Sequence, residues 1–297
     1  MNLENFGMDT VSLSGSLDAR LRAVREAGFT QTMLWARDIV EHPEGETAAI
    51  SSVRRSGVRV TGYQVLRDFE GLPDHLHAYK LDIAKAMLST CRALGSRLLL
   101  VCSSTSAHAS GDSEVLARDL RKLAMLAVPL GIRVAYEAIS WGKHVREFTQ
   151  AANIVAAANA PNLGLALDVF HLLATRSDPD DLDLVDPQKI FLVQLSDFMW
   201  QELPSIEERI NTARHFRVFP GEGLHGAEVA DLVQRLDTKG YRGDYSFEVF
   251  NDDYAQLPPA VVARRARQSA KWITDHVSRR SIPIRRPARA NGQAGHP

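Results

Sequence analysis

The sequence predicts an α/β protein: a single (β/α)8 barrel over residues 1–277, followed by a disordered basic tail over residues 278–297. Short apolar runs alternate eight times with amphipathic helical stretches, which is typical of a parallel α/β fold. The chain of 297 residues is close to the roughly 250 residues of one barrel. Glycines in "EAGF", "RSGV", "ALGS", "PLGI" and "TKGY" stand where a helix is expected to end before the next strand.

The individual elements follow from the spacing of apolar residues. The predicted strands cover residues 6–13, 31–36, 58–66, 97–102, 132–138, 163–168, 190–195 and 244–250. Helical spacing predicts helices over 17–27, 44–56, 76–94, 113–129, 146–159, 226–238 and 259–277, with a short piece near 180–186. No GxGxxG follows the first strand, which disfavours an open dinucleotide-binding sheet. The tail "SRRSIPIRRPARANGQAGHP" has almost nothing to bury, and we expect it to be disordered.

Four consecutive strands end on a side chain that offers oxygen. The fifth strand delivers Glu137 ("AYEAISWG"), the sixth Asp168 ("ALDVFH"), the seventh Gln194 ("LVQLSD") and the eighth Glu248 ("SFEVF"). Active sites of (β/α)8 barrels lie at the carboxyl ends of the strands, so we expect these side chains to converge. Each one alone has an ordinary alternative, such as capping the next helix or pairing with a lysine.

Three converging carboxylates would repel one another and take up protons unless a cation lay between them. The residues therefore predict a divalent metal site built from Glu137, Asp168, Gln194 and Glu248. A set of oxygen ligands without cysteine suits Mg²⁺, Mn²⁺ or Co²⁺ better than a structural zinc.

These strand ends resemble the xylose isomerase-like TIM barrel superfamily, which uses a Glu–Asp–(His or Gln)–Glu metal site. A narrower resemblance, to bacterial 3-dehydroshikimate dehydratases of quinate and shikimate catabolism, extends over most of residues 1–275. The segments that carry it are "YQVLRDFEGLP", "YEAISWGKHV", "LALDVFHLLA", "IFLVQLSDF", "ARHFRVFPGEG" and "YRGDYSFEVFND". The loop over 199–213, with "SIEERINTA", departs from that pattern and leaves the exact substrate open.

The resemblance implies a lyase that removes water from a hydroxylated cyclic keto acid, 3-dehydroshikimate, and forms protocatechuate. The difficult step is loss of a proton from the carbon next to the ketone, with a metal stabilising the enediolate. His171 is the candidate for moving that proton as the base, and it could equally protonate the leaving β-hydroxyl. Its alternative role is to orient Asp168. His144 is a weaker candidate.

A substrate carboxylate implies a cationic partner, and guanidinium matches a carboxylate in a bidentate manner. Arg217 in "FRVFPG" is the first candidate, and Arg67 in "VLRDFEG" is the second. Arg214 and His215 lie close to Arg217 in sequence. A surface ion pair is the alternative for each arginine. Glu222 between two glycines has the alternative of an ordinary turn.

The net charge of −1 and the pI of about 6.8 indicate neither a nucleic-acid nor a membrane partner. Residues 1–15 lack the features of a signal peptide, and no apolar run approaches the ~18 residues of a membrane span. We therefore expect a cytoplasmic protein with reduced thiols at Cys91 and Cys102. A homodimer is compatible with a barrel of this size, although no residue pattern specifies an interface.

Other functions remain open at this level. A sugar or inosose isomerase, epimerase or dehydratase would use the same metal site without needing an arginine for a carboxylate. An apurinic-site endonuclease is disfavoured because the chain lacks a basic surface and closely spaced histidine ligands. A non-catalytic scaffold would not require the intact set of ligands. Nucleophilic hydrolase and P-loop motifs are absent from the sequence.

Overall fold

A computed structural model describes residues 2–280 and confirms the barrel. Eight parallel strands form a closed sheet in sequential order, from β1 to β8 and back to β1. Their bounds are β1 Phe6–Asp9, β2 Gln31–Trp35, β3 Arg59–Leu66, β4 Leu98–Cys102, β5 Arg133–Glu137, β6 Leu163–Asp168, β7 Ile190–Leu195 and β8 Tyr245–Phe247. All eight fall within the ranges predicted from sequence.

Ten α-helices accompany the strands in the described part of the chain. They are α1 Leu17–Glu26, α2 Ala36–Val40, α3 Glu46–Ser56, α4 Asp74–Ala93, α5 Ser113–Ala127, α6 Phe148–Ala158, α7 Val169–Thr175, α8 Ile206–His215, α9 Gly226–Lys239 and α10 Pro259–Arg280. The last helix continues past residue 277, the predicted end of the barrel. The tail predicted to be disordered lies, from residue 281 onward, outside the described residues. Within those residues, no helix combines the length and apolar character of a membrane span.

Three helices, α2, α7 and α8, were not predicted. The short helical piece expected near 180–186 is a 3-10 helix over Pro179–Leu184, but α7 begins earlier, at Val169. Helix α8 was not predicted at all. Its start carries a capping box, in which Ser205 and Glu208 exchange hydrogen bonds between side chain and backbone.

Two apolar layers hold the barrel together. The larger layer packs the strands against the helices, with Phe6, Tyr63 and Phe247 among its buried members. A smaller, separate cluster draws residues from several strands: Met33, Leu98, Leu100, Ala135, Ala166, Phe191 and Leu192. Side chains of this kind fill the interior of a (β/α)8 barrel, so its centre is a packed core and not a channel. Because the interior is filled, a binding site is expected at the ends of the strands.

Candidate active site

Four strands bring the predicted ligands to one end of the barrel. Glu137 ends β5, Asp168 ends β6, and Gln194 lies one residue before the end of β7. Glu248 directly follows β8. Asp168 and Gln194 are register partners across the β6–β7 pair. All four are buried, and Glu248 has the largest exposed fraction at 7%.

Glu137, Asp168 and His171 form the tightest part of the site, with ligand atoms within 4.8 Å of one another. His171 Nε2 lies 3.6 Å from Glu137 Oε1 and 3.6 Å from Asp168 Oδ2. The cause is local: Asp168 Oδ1 accepts a hydrogen bond from Phe170 N at 2.9 Å and caps α7. The helix therefore begins at once, and its first turn carries His171 to the strand end.

Arg217 lies among the same carboxylates. Its Nη1 donates to Asp168 Oδ2 at 2.7 Å and to Glu248 Oε2 at 3.1 Å. The guanidinium is almost fully buried, with its carbon 4.4 Å from the centre of the Phe170 ring. Its positive charge offsets part of the repulsion between the carboxylates. The predicted contact of Arg217 with a substrate carboxylate stays a prediction.

Gln194 presents an unsatisfied oxygen. Its Nε2 donates to Gln64 Oε1 at 3.3 Å, whereas its Oε1 is buried without a hydrogen-bond partner among residues 2–280. A buried carbonyl oxygen without a partner is costly unless something else binds it. A cation beside the carboxylates would satisfy this oxygen.

The raised pKa values of the carboxyl groups are a second indication of a cation site. Burial, followed by the charges of Asp168 and Glu248, raises the pKa of Glu137 well above its usual range. Burial raises the pKa of Glu248 to about 7, although the charge of Arg217 opposes that rise. A divalent cation would favour the charged forms of these groups. The charge, the donor atoms and the orphaned oxygen of Gln194 all fit such a cation.

His171 is held in one orientation. Ser140 N donates to His171 Nδ1 at 3.2 Å, and Ser140 Oγ lies 3.1 Å from the same nitrogen. The edge of Trp141 packs against the ring at 5.0 Å between centroids. Burial lowers the pKa of His171 to about 3. The neutral ring therefore accepts at Nδ1 and carries its hydrogen on Nε2, toward Glu137 and Asp168.

A cavity of about 440 Å³ opens over this cluster, and His171 and Arg217 lie in its wall. Trp35, Trp141 and Phe250 supply aromatic surface, and Arg67 and Arg214 supply positive charge. Both of these arginines are exposed. Within residues 2–280 neither guanidinium makes a salt bridge. The cavity is therefore anionic at its floor and cationic at its rim.

The remaining sequence candidates lie elsewhere or have other partners. His144 Nε2 contacts the Ala109 carbonyl oxygen at 2.9 Å, and His144 does not line the cavity. His215 Nδ1 pairs with Asp252 at 3.0 Å. Glu222 accepts a hydrogen bond from Tyr254 and pairs with Arg265 at 3.0 Å.

Sequence reasoning missed Cys102 and Gln64, which contact the ligands, and Asp9, which contacts Gln64. Cys102 Sγ lies 2.9 Å from Glu137 Oε2. Gln64 Nε2 donates to Glu248 Oε1 at 3.0 Å and to Asp9 Oδ2. Asp9 and Cys102 end their strands, as the ligands do, so the strand-end argument extended to β1 and β4 would have found both. Gln64 lies within β3, and its contacts depend on the closure of the barrel.

Comparison with known proteins agrees with the fold. The sequence profile of the xylose isomerase-like TIM barrel family matches residues 21–276. A 3-dehydroshikimate dehydratase of Pseudomonas aeruginosa is 37% identical over 267 residues, covering 90% of this chain and 41% of that protein. A 3-dehydroshikimate dehydratase of Neurospora crassa is 25% identical, covering 88% of this chain and 89% of that one. An inosose isomerase of Halalkalibacterium halodurans is 31% identical, covering 62% and 64%. The chain thus spans about two fifths of the length of the Pseudomonas protein.

Two solved structures show the same architecture. A fusion of a xylose isomerase-like TIM barrel with a 4-hydroxyphenylpyruvate dioxygenase superposes with a TM-score of 0.87 at 33% identity, covering 96% of this chain and 45% of that one. The IOLI protein, described with a bound zinc atom, superposes with a TM-score of 0.76 at 22% identity, covering 94% and 99%. The chain belongs to the xylose isomerase-like TIM barrel family.

Proposed function

We propose that the chain is a divalent-metal-dependent hydro-lyase that converts 3-dehydroshikimate to protocatechuate. The observation that carries this proposal is the convergence of three carboxyl groups and one unsatisfied amide oxygen at adjacent strand ends, beneath a cavity with a cationic rim. Three 3-dehydroshikimate dehydratases are among its relatives, and the one of Neurospora crassa matches this chain over most of both lengths.

Glu137, Asp168, Gln194 and Glu248 are the residues that would hold Mg²⁺, Mn²⁺ or Co²⁺. Once bound, such a cation acts as a Lewis acid that stabilises the negative charge developing on a ketone oxygen. The buried wall around these ligands excludes water, which strengthens every charge interaction in the site.

His171 is the proposed proton-transfer residue, and Nε2 is the atom that faces the site. The Ser140 N–H at Nδ1 places the hydrogen of the neutral ring on Nε2, from which it can donate a hydrogen bond to the departing β-hydroxyl. Full transfer of a proton from Nε2 requires a ring that is protonated on both nitrogens. Action as a base at Nε2 needs the hydrogen on Nδ1, where Ser140 Oγ at 3.1 Å is able to accept it.

Isotope exchange separates the two roles of His171. If His171 is the acid, the His171→Asn variant in D₂O still exchanges the proton next to the ketone but does not release water. If His171 is the base, the variant loses that exchange together with product formation. Full retention of product formation would remove His171 from the mechanism.

Arg67 and Arg217 are the proposed partners of the substrate carboxylate. Arg67 has its guanidinium exposed at the rim of the cavity and without a salt bridge among residues 2–280. Arg217 reaches a substrate only to the extent that Asp168 and Glu248 are engaged by another cation. The structure thus favours Arg67 for the first contact with the substrate.

The test of the proposed function is the appearance of protocatechuate absorbance from 3-dehydroshikimate with Mg²⁺, Mn²⁺ or Co²⁺, against an EDTA control. Metal-dependent formation of the aromatic product is the expected result. A flat trace from folded, metal-loaded protein would contradict the proposal.

An inosose or sugar isomerase is the second candidate, and the similarity to the inosose isomerase of Halalkalibacterium halodurans favours it. Such a substrate has no carboxylate. Turnover of an inosose that is insensitive to the replacement of Arg67 would decide for this alternative.

A further inference from the structure

One glutamine touches two of the four proposed ligands. Gln64 on β3 is 2% exposed, and its amide nitrogen donates to Glu248 Oε1 at 3.0 Å and to Asp9 Oδ2. Its amide oxygen accepts the hydrogen bond from Gln194 Nε2 at 3.3 Å. Gln64 therefore joins a carboxylate at the end of β1 to an amide near the end of β7.

The charged carboxylates favour one arrangement of the amides. A charged carboxylate oxygen only accepts hydrogen bonds, so Gln64 turns its nitrogen toward Asp9 and Glu248. Its oxygen then faces Gln194 and can only accept, which turns the nitrogen of Gln194 toward Gln64. The oxygen of Gln194 is left facing the site, where it has no partner among residues 2–280.

Asp9 is fixed in turn by the chain that follows it. Its Oδ1 accepts from Val11 N at 3.1 Å and caps the 3-10 turn Thr10–Ser12, so only Oδ2 is available to Gln64. Asp9 is fully buried. Asp9 therefore helps to hold the amide of Gln64 from the end of β1.

We propose that Asp9 and Gln64 are positioning residues which turn the amide of Gln194 so that its oxygen, and not its nitrogen, faces the metal site. An amide oxygen is a metal ligand, whereas an amide NH₂ group is not. The pair thus prepares one of the four ligands before any cation arrives. This inference rests on the divalent cation of the proposed function.

The isosteric Asp9→Asn variant disturbs this orientation. Its side-chain oxygen stays with Val11 N, so the new NH₂ group faces the nitrogen of Gln64 and opposes the orientation of that amide, which Glu248 Oε1 alone then supports. Gln194 is then no longer held with its oxygen toward the site. Partners behind metal ligands typically contribute about 10- to 100-fold to metal affinity, and we expect Mn²⁺ binding, measured by isothermal titration calorimetry, to weaken at least about tenfold.

Gln194→Glu provides the decisive background, because both terminal atoms of glutamate are oxygens. In this background the orientation of the side chain no longer matters, and adding Asp9→Asn leaves the Mn²⁺ affinity unchanged. This absence of a further loss is the signature of an orienting role in a double-mutant cycle. Gln64→Met removes the amide that links Asp9 to Gln194. We expect it to change the Mn²⁺ affinity as Asp9→Asn does, both in the parent and in the Gln194→Glu variant.

Asp119→Asn is the matched control, since Asp119 is 2% exposed and accepts a backbone hydrogen bond from Gly71. It loses the same charge away from the ligands and should bind Mn²⁺ as the parent does. Circular dichroism establishes that each variant is folded, and Gln64→Met replaces Asp9→Asn if the latter is not.

The outcomes separate this inference from the proposed function. Equal Mn²⁺ affinity of the parent and Asp9→Asn overturns the orienting pair alone. An equal loss on adding Asp9→Asn to the parent and to the Gln194→Glu variant also overturns it, because general loosening of the site would then explain the effect. A parent protein that binds no divalent cation contradicts the metal site itself and the inference with it.

Discussion

Replacing Arg217 by methionine tests how the protein balances its buried carboxylates. Methionine keeps the length of the side chain over Phe170 but removes the charge that pairs with Asp168 at 2.7 Å and Glu248 at 3.1 Å. Removing one partner of a buried ion pair costs about 3–5 kcal/mol, since the other partner is left without compensation. We expect the free energy of unfolding in EDTA to fall by that amount at pH 8.

The loss should be smaller at pH 6. The pKa of Glu248 already lies at about 7 because of burial, and loss of Arg217 raises it further. A carboxyl group whose pKa is raised in the folded state stabilises the protein below its unfolded pKa and loses that contribution as the pH rises through the folded value. In mild acid the variant can therefore compensate for the lost positive charge by protonating Glu248.

Added metal should reduce the difference in the free energy of unfolding between the wild type and Arg217→Met. A cation at 100 times its Kd stabilises a folded protein by about 2.7 kcal/mol, and Arg217→Met gains more because its carboxylates no longer have to release a guanidinium. Urea denaturation in EDTA and in excess Mn²⁺ measures both differences. Arg37→Met, at an exposed pair with Glu41, is the control and should cost about 0–1 kcal/mol in either condition. An Arg217→Met penalty that is identical with and without Mn²⁺ would refute the reasoning.

Three further predictions concern other parts of the chain. Burial raises the pKa of Glu70 to about 7, so wild-type stability should fall by up to about 1.4 kcal/mol per pH unit relative to Glu70→Gln. This fall should occur as the pH rises from about 4.5 to 7. Urea denaturation at several pH values measures it, and a difference in the free energy of unfolding between the two proteins that stays constant over this range would contradict the prediction. Arg67→Met should lower kcat/KM for 3-dehydroshikimate about 10- to 100-fold, mainly through KM, as expected for a lost hydrogen bond to a charged group. Arg67→Lys should recover part of the lost kcat/KM. An unchanged KM in Arg67→Met would contradict a contact between Arg67 and the substrate carboxylate. Burial raises the pKa of the Cys91 thiol to about 11, so Cys91 should resist alkylation at pH 8 until urea unfolds the protein, and rapid native labelling would disagree.

The sequence was sufficient to predict the barrel and the convergence of the four proposed ligands because both depend on local patterns repeated along the chain. A strand that ends on Glu137 or Asp168 is recognisable from its own neighbours in sequence. Once the fold is known to be closed, the ends of consecutive strands must meet.

Contacts between residues that are far apart in sequence could not be predicted in this way. Arg217 and Asp168 are 49 positions apart, and Gln64 and Glu248 are 184 apart. Neither pair has a periodic pattern, and their encounter depends on the closed sheet and the path of the loop after β7. Sequence analysis therefore placed Arg217 in the site without identifying its carboxylate partners, and it overlooked Gln64.

The errors in the helices had signals that were present but not used. Asp168 is an N-cap residue as well as a proposed ligand, and the capping role explains why α7 starts directly after β6. Likewise Ser205 and Glu208 form a capping box that marks the start of α8. In both places a short polar motif, and not apolar spacing, determined where the helix begins.

The most direct test of the account is an anomalous difference map from a crystal of the protein soaked in Mn²⁺. We expect one strong peak at coordination distance from the side-chain oxygens of Glu137, Asp168, Gln194 and Glu248. A map without a peak there, or with Mn²⁺ bound only at surface carboxylates, would contradict the central claim that these four strand ends form a metal site.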